Sequence, residues 1–164
     1  MTADALSDLR VGRSESGYVV LVERRGTMRT SLALRRFADG LIDHEDCDLV
    51  VDLSHCEYLD STFLGCLVDL YKLIGRESPG RFRIAADEER TRSLLVSTHL
   101  PIDGVSPKLI TECLSIKLEK VELHNLGRHV MECHRRLAEI GGPNQVVFQR
   151  IADELTEELF ADRD

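Results

Sequence analysis

Apolar residues along the chain switch repeatedly between two spacings. Tyr18, Val19, Val20, Leu21 and Val22 form a β-branched run bounded by Gly17 and Gly26, which predicts a buried strand. A weaker strand is expected before it, over Leu9–Arg13. Leu34, Phe37, Ala38, Leu41 and Ile42 then recur at helical spacing, with Thr30 or Ser31 placed to cap the start. After a polar connection at 43–48, residues 49–53 (Leu-Val-Val-Asp-Leu) make a nearly continuous apolar run of the kind found in central strands. A loop over 54–60 follows. Leu64, Leu67, Val68, Tyr71 and Ile74 return to helical period, and Gly75 marks the end. Ser78, Pro79 and Gly80 signal a turn, and 82–86 read as another strand. Asp87 is placed to cap a helix carrying Leu94, Leu95 and Leu100, which Pro101 closes. Strands alternating with helices at these separations predict an α/β layer rather than a sandwich or a bundle.

Pro101, Gly104 and Pro107 mark a change of style. Residues 109–123 fit two patterns: Leu114, Ile116 and Leu118 alternate as in a strand, whereas Ile110, Leu114, Leu118 and Val121 suit a helix. Leu126, Val130, Cys133, Leu137 and Ile140 then form one helical stripe, and Phe148, Ile151, Ala152, Leu155 and Leu159 a second. Between them, Gly141 and Gly142 suit a helix C-terminus and Pro143 the first position of the next helix. The expected organisation is an α/β domain over 1–110 and a C-terminal extension over 111–164 that folds as an antiparallel helical hairpin. There is no internal repeat and no low-complexity segment.

A chain of 164 residues, 43% of them hydrophobic, can bury a core without disulfides or a structural metal. Its 21 Lys+Arg against 29 Asp+Glu give a net charge of −8, which argues against non-specific nucleic-acid binding and against docking on an anionic membrane. An aromatic content of 5% with no Trp makes a stacking platform for single strands improbable. The acidity is uneven. Residues 151–164 hold six acidic residues and one Arg, a net of −5, so the first 150 residues carry only −3. The N-terminus has neither a basic start nor an apolar stretch, no apolar run approaches a membrane span, and the five cysteines include no C-x-x-C pair. Reduced thiols in the cytoplasm are the expectation.

Most enzyme signatures are missing: there is no G-x-S-x-G, no phosphate loop, no G-x-G-x-x-G and no H-E-x-x-H. His129 and Cys133 lie four apart, with His124 and His134 nearby, but no second ligand group has a recognisable spacing. Surface-leaning histidines and a packed thiol are the plain reading, so neither metal nor cofactor is expected. The cluster at 44–48 reads as solvated charge. His55 is the nearest base to a serine nucleophile in sequence, and nothing beyond proximity makes a triad of it.

The informative stretch runs from Val50 to Leu67, where Asp60, Ser61 and Thr62 stand at the change from loop to helix. Such a position offers unpaired backbone N–H groups and the positive end of the helix dipole. Asp60 or Ser61 as an N-cap, worth roughly 1 kcal/mol, is the plain account. A phosphate there would be stabilised by the helix end and would add about −1.5 to −2 charge to the surface.

A strand ending in Val-Asp-Leu-Ser, a short loop ending in Leu-Asp-Ser-Thr, then Phe-Leu-Gly opening a helix, resembles the STAS domain of anti-sigma factor antagonists. The element order over about 9–109 is similar to that family's as well. The resemblance implies a small mixed sheet with alternating helices, and a serine that a combined anti-sigma factor and kinase phosphorylates. Ser61 is the matching residue, with Thr62 second. It further implies that the unphosphorylated form binds the anti-sigma factor, that a serine phosphatase restores it, and that the chain acts as an anti-anti-sigma factor by binding rather than by catalysis. The alternative is a STAS scaffold whose serine is never phosphorylated, held in an assembly by its tail.

The chain departs from the family pattern twice. Phe63 stands where Gly is common; its ring either packs inward or enlarges a docking rim made of Met28, Arg29, Asp60, Ser61, Thr62 and Phe63. Gly26-Thr27-Met28-Arg29-Thr30 replaces a loop in which many members carry an acidic residue. Arg29, with Arg25, either pairs with a phosphate on Ser61 or belongs to a solvated basic corner with Arg24, Arg35 and Arg36. The tail either packs on the domain or joins two copies as a homodimer.

Overall fold

A computed structural model describes residues 9–44, 48–75, 80–86, 89–96, 98–103, 106–116, 118, 122–142 and 144–160. In chain order the elements are β1 (Leu9–Arg13), β2 (Gly17–Val22), β3 (Arg24–Gly26), α1 (Met28–His44), β4 (Asp48–Asp52), β5 (Cys56–Leu59) and α2 (Ser61–Ile74). They continue with β6 (Phe82–Ala85), α3 (Glu89–Val96), β7 (Ile102–Asp103), β8 (Leu114–Ser115), α4 (Leu123–Ile140) and α5 (Gln145–Phe160). The main sheet is mixed, in the order β7-β6-β4-β2-β1-β8. The β2–β4, β4–β6 and β6–β7 pairs are parallel, each joined through a helical crossover. The β1–β2 and β1–β8 pairs are antiparallel. The α/β class and the C-terminal helix pair agree with the apolar spacing, whereas the mixed character of the sheet was not part of what that spacing predicted.

The central strands are apolar on both faces because both faces are covered. Val20, Val22, Leu49 and Val51 join Leu34, Phe63, Leu67 and Leu70 in the main core, beneath α1 and α2. Val19, Val50 and Ala85 point the other way, into a smaller cluster that Leu21 and Leu109 complete. With a period of two, one strand therefore feeds two cores.

Several boundaries differ from those read in the sequence. The expected loop at 54–60 contains β5, which pairs in parallel with β3 as a separate two-stranded sheet. The Asp60 N–H then donates to the Gly26 carbonyl at 2.9 Å, setting the start of α1 beside the start of α2. Helix α1 begins at Met28, not at Thr30 or Ser31. The Thr27 carbonyl accepts the first helical bond, from Ser31 N–H at 2.8 Å, and the Thr27 N–H donates to Thr30 Oγ1 at 2.7 Å, which is one half of a capping box. Helix α1 also runs on to His44, into the expected polar connection. Helix α3 closes at Val96, and Leu100 is buried after it rather than on it. Among the described residues of 109–123 the strand pattern holds at Leu114–Ser115, with Ile116 packed against the main core. The proposed turn at Ser78 and Pro79 and the cap at Asp87 lie outside the described residues.

The last two helices are antiparallel: Gly127 near the start of α4 faces Leu159 near the end of α5, and Thr156 Oγ1 lies 2.9 Å from Met131 Sδ. Helix α4 crosses α2, and its Cys133 and Leu137 are part of the main core. Helix α5 has one buried residue, Ala152. The sheet and the core thus draw on residues from both sides of position 110.

The crossing of α2 and α4 rests on Gly65. A Cβ there would stand 2.2 Å from the Cys133 carbonyl oxygen and 2.6 Å from its carbon, both backbone atoms. At Gly40, in mid-α1, a Cβ would meet nothing within 4 Å. Alanine is favoured over glycine in a helix by about 1 kcal/mol, whereas overpacking against backbone costs about 1–3 kcal/mol. Urea unfolding should therefore show Gly40→Ala raising stability by about 0.5–1 kcal/mol and Gly65→Ala lowering it by about 2 kcal/mol. Equal effects at the two positions would refute the close crossing.

Candidate functional site

At the start of α2 the Asp60 side chain accepts the Phe63 N–H at 2.8 Å from an extended backbone (φ −84°, ψ 170°), so Asp60 is the N-cap and Ser61 the first helical residue. Phe63 is fully buried. Its ring and the Leu59 side chain fill the space beside Gly26, where a Cβ would approach Leu59 Cδ2 to 2.5 Å and the Phe63 ring to 3.0 Å. Thr62 is buried as well. Phe63 and Thr62 are therefore not part of an exposed docking rim: an apolar ring and its neighbour on the first turn go to the core. Met28 and Arg29 are exposed on the first turn of α1, with Asp60 and Ser61 half-buried beside it. The Arg25 guanidinium sits over the Tyr58 ring at 5.1 Å.

The group that meets Ser61 comes from the tail. Ser61 Oγ lies 2.8 Å from Nε2 of His134, a residue of α4 that is 3% exposed. His134 Nδ1 lies 2.8 Å from the Val130 carbonyl oxygen, which can only accept. In the neutral ring Nδ1 therefore carries the hydrogen, and Nε2 accepts the Ser61 hydroxyl proton. Phe148 of α5 packs against the same imidazole, with ring centroids 5.9 Å apart. His55, the nearest histidine in sequence, is exposed and uses its backbone carbonyl to accept the Arg24 N–H.

A second histidine joins the tail to α1. His129 is 6% exposed, and its Nε2 lies 2.8 Å from Ser31 Oγ, while that hydroxyl also reaches the Met28 carbonyl at 2.7 Å. Burial, together with the charges of Arg35 and Arg36, lowers the His129 pKa to about 4. Cys133 Sγ is 3.6 Å from His129 Nε2, and Cys66 Sγ is 3.4 Å from the Ser31 carbonyl oxygen. Hydrogen bonding to Cys66 and burial push the Cys133 thiol pKa up, so it is protonated at neutral pH. The expected surface-leaning histidines at 129 and 134 are thus buried, and a third group, Cys66, joins His129 and Cys133.

Charged contacts complete the seam. Asp69, 5% exposed on α2, pairs with Arg35 of α1 and with Arg136 of α4, the latter at 2.7 Å. Nearer solvent, Glu139 of α4 accepts from Lys72 at 2.7 Å and from Arg136 at 3.2 Å. Histidine type alone gave no sign of these roles. The one signal was the narrow spacing of 129, 133, 134 and 137, which places them on one broad arc once α4 has two packing partners.

No family model matches the chain, and no curated protein matches it. Among the described residues, no helix is long and apolar enough to cross a membrane.

The His129 environment sets a pH dependence. The folded protein takes this proton only near pH 4, while the unfolded chain takes it near 6.5, so stability is present above 6.5 and is lost as the pH falls between the two values. At pH 5 the His129 contribution is about 2 kcal/mol smaller than at pH 7. Urea unfolding at both pH values should show this loss in the wild type and its absence in His129→Gln.

Proposed function

We propose that the chain is an anti-sigma factor antagonist-like regulator of a bacterial cytoplasm, which binds a partner protein and is switched by phosphorylation at Ser61. It acts by binding, without a catalytic step or cofactor of its own, and without nucleic acid or membrane. The partners that the resemblance implies are an anti-sigma factor that is also a serine kinase, and a serine phosphatase.

The carrying observation is the hydrogen bond from Ser61 to His134. A kinase needs this hydroxyl free, and at 2.8 Å the imidazole occupies the space a phosphate would take. Phosphorylation and seating of α4 therefore compete: a phosphate on Ser61 costs α4 its His134 contact and favours lifting of the helix. Once α4 has lifted, the exposed Arg29, on the first turn of α1, and Arg25 are the cations this reading offers to the phosphate. The C-terminal hairpin is then a cover on the switch, and the docking face comprises Met28, Arg29, Asp60 and Ser61.

The other reading, a phosphorylation-independent scaffold that dimerises through its tail, draws on Val146 and Val147, which are exposed together at the start of α5.

Arg136→Ala removes the tail's charged contact to Asp69 without touching Ser61 or His134. If it weakens closure by about 1 kcal/mol, the open fraction rises about fivefold. Incubation with ATP and cytoplasmic extract, followed by peptide mass spectrometry, should place phosphate on Ser61, faster in Arg136→Ala and absent in Ser61→Ala. Pull-down from the same extract should recover a partner with Ser61→Ala that is lost with Ser61→Glu. Equal recovery by wild type, Ser61→Ala and Ser61→Glu would leave the scaffold reading standing in its place.

A further inference from the structure

The seam between α2 and α4 holds two thiols and an imidazole that the Ser61 switch does not use. Cys66, His129 and Cys133 are all buried, and their potential ligand atoms lie within 4.8 Å of one another. They come from two helices, and Gly65 and Cys133 mark the point where those helices touch.

We infer that Cys66, His129 and Cys133 form a binding site for one thiophilic closed-shell cation, Zn²⁺ or Cu⁺. A metal held at about 2.3 Å from sulfur and about 2.0–2.1 Å from nitrogen, with tetrahedral angles, separates the two ligand atoms by about 3.6 Å. Cys133 Sγ stands 3.9 Å from His129 Nδ1, within a few tenths of an ångström of that spacing. The imidazole is also oriented as metal ligands are. The Ser31 hydroxyl has one proton; donated to the Met28 carbonyl, it leaves Ser31 Oγ to accept Nε2–H, which frees the Nδ1 lone pair. Two thiolates with a neutral imidazole are the soft donor set that selects Zn²⁺ or Cu⁺ over Mg²⁺ or Ca²⁺. Binding forms two metal–sulfur bonds and one metal–nitrogen bond and releases the two thiol protons to solvent. Cu⁺ is complete with three ligands, whereas Zn²⁺ takes water in the fourth position. Since the ligands lie on both sides of the seam, the cation fastens α4 to α2, and loading is coupled to docking of the tail. The inference does not depend on the phosphorylation of Ser61.

The test uses the full chain, reduced and freed of metal, equilibrated separately with Zn²⁺, with Cu⁺ under anaerobic reductant, and with Mg²⁺. Elemental analysis after desalting should find one Zn²⁺ or one Cu⁺ per chain and no Mg²⁺. At a hundredfold excess over Kd the melting temperature should rise by about 5–10 °C. Cys66→Ser, Cys133→Ser and His129→Gln should each lower affinity at least tenfold, with folding checked by circular dichroism. Should these variants fail to fold, Co²⁺ added to the wild type still decides through its thiolate charge-transfer absorption in the near ultraviolet. No stoichiometric uptake, no such absorption, or uptake that survives all three substitutions in folded protein would overturn the site. So would a chain that forms a Cys66–Cys133 disulfide in air yet takes no cation when reduced.

Discussion

At Gly65 the backbone of α2 meets the Cys133 carbonyl of α4 with no space for a side chain between them. That approach brings every other contact of the tail within range. With the helices so close, short groups span the seam: a histidine reaches a serine hydroxyl at 2.8 Å twice over, at Ser61 and at Ser31, and two cysteines share one buried space. A wider crossing would deprive the buried imidazoles of their serine partners and Asp69 of one of its two arginines, at a cost of a kcal/mol or more for each buried group left unsatisfied. The glycine of the Asp-Ser-Thr-Phe-Leu-Gly stretch is thus accounted for here by the packing of α2 on the tail.

The seam is polar for its depth. Asp69 accepts from arginines on both neighbouring helices, and removing its charge from water is offset only because both partners are present. Pairs of this kind add little net stability but are demanding in geometry, so they select one rotation of α4 about its axis. Helix α5 contributes less to the hold. Its one buried residue is Ala152, and its contacts are mainly with α4, so the two helices form one packed unit.

What could be read in the sequence follows from the length of the signal. Residues 18–22 and 49–53 are long enough to reveal strands, and the five-residue stripes of α1, α2, α4 and α5 to reveal helices. Strands β3, β5 and β7 have two to four residues and gain their order from distant partners, so no local period announces them. The start of α1 was hidden because Thr30 Oγ1 reaches back to the Thr27 N–H from inside the first turn, and either threonine is a plausible cap in isolation. For the site, Asp60 and Ser61 were legible from residue type at a loop–helix junction. His134 was not: it stands 73 positions from Ser61, and a polar residue on an amphipathic helix reads as solvent-facing. The grouping of Cys66 with His129 and Cys133 was invisible for the same reason, since metal-ligand spacing is recognisable only when the ligands are close in sequence.

Helix α4 presents His129, Cys133, His134 and Arg136 from two consecutive turns, so its position on α2 fixes all of these contacts together. A ligand shifts such an equilibrium only by the difference in its affinity for the seated and the lifted forms. A phosphate on Ser61 is excluded by the seated His134 and therefore favours lifting. A cation held by Cys66 from one side and by His129 and Cys133 from the other exists only when the helix is seated, and favours closure. On these readings the two ligands have couplings of opposite sign, transmitted through one rigid helix, and by reciprocity each weakens the other by the same factor. The polar seam would then convert a local chemical event at either place into a single movement of the tail.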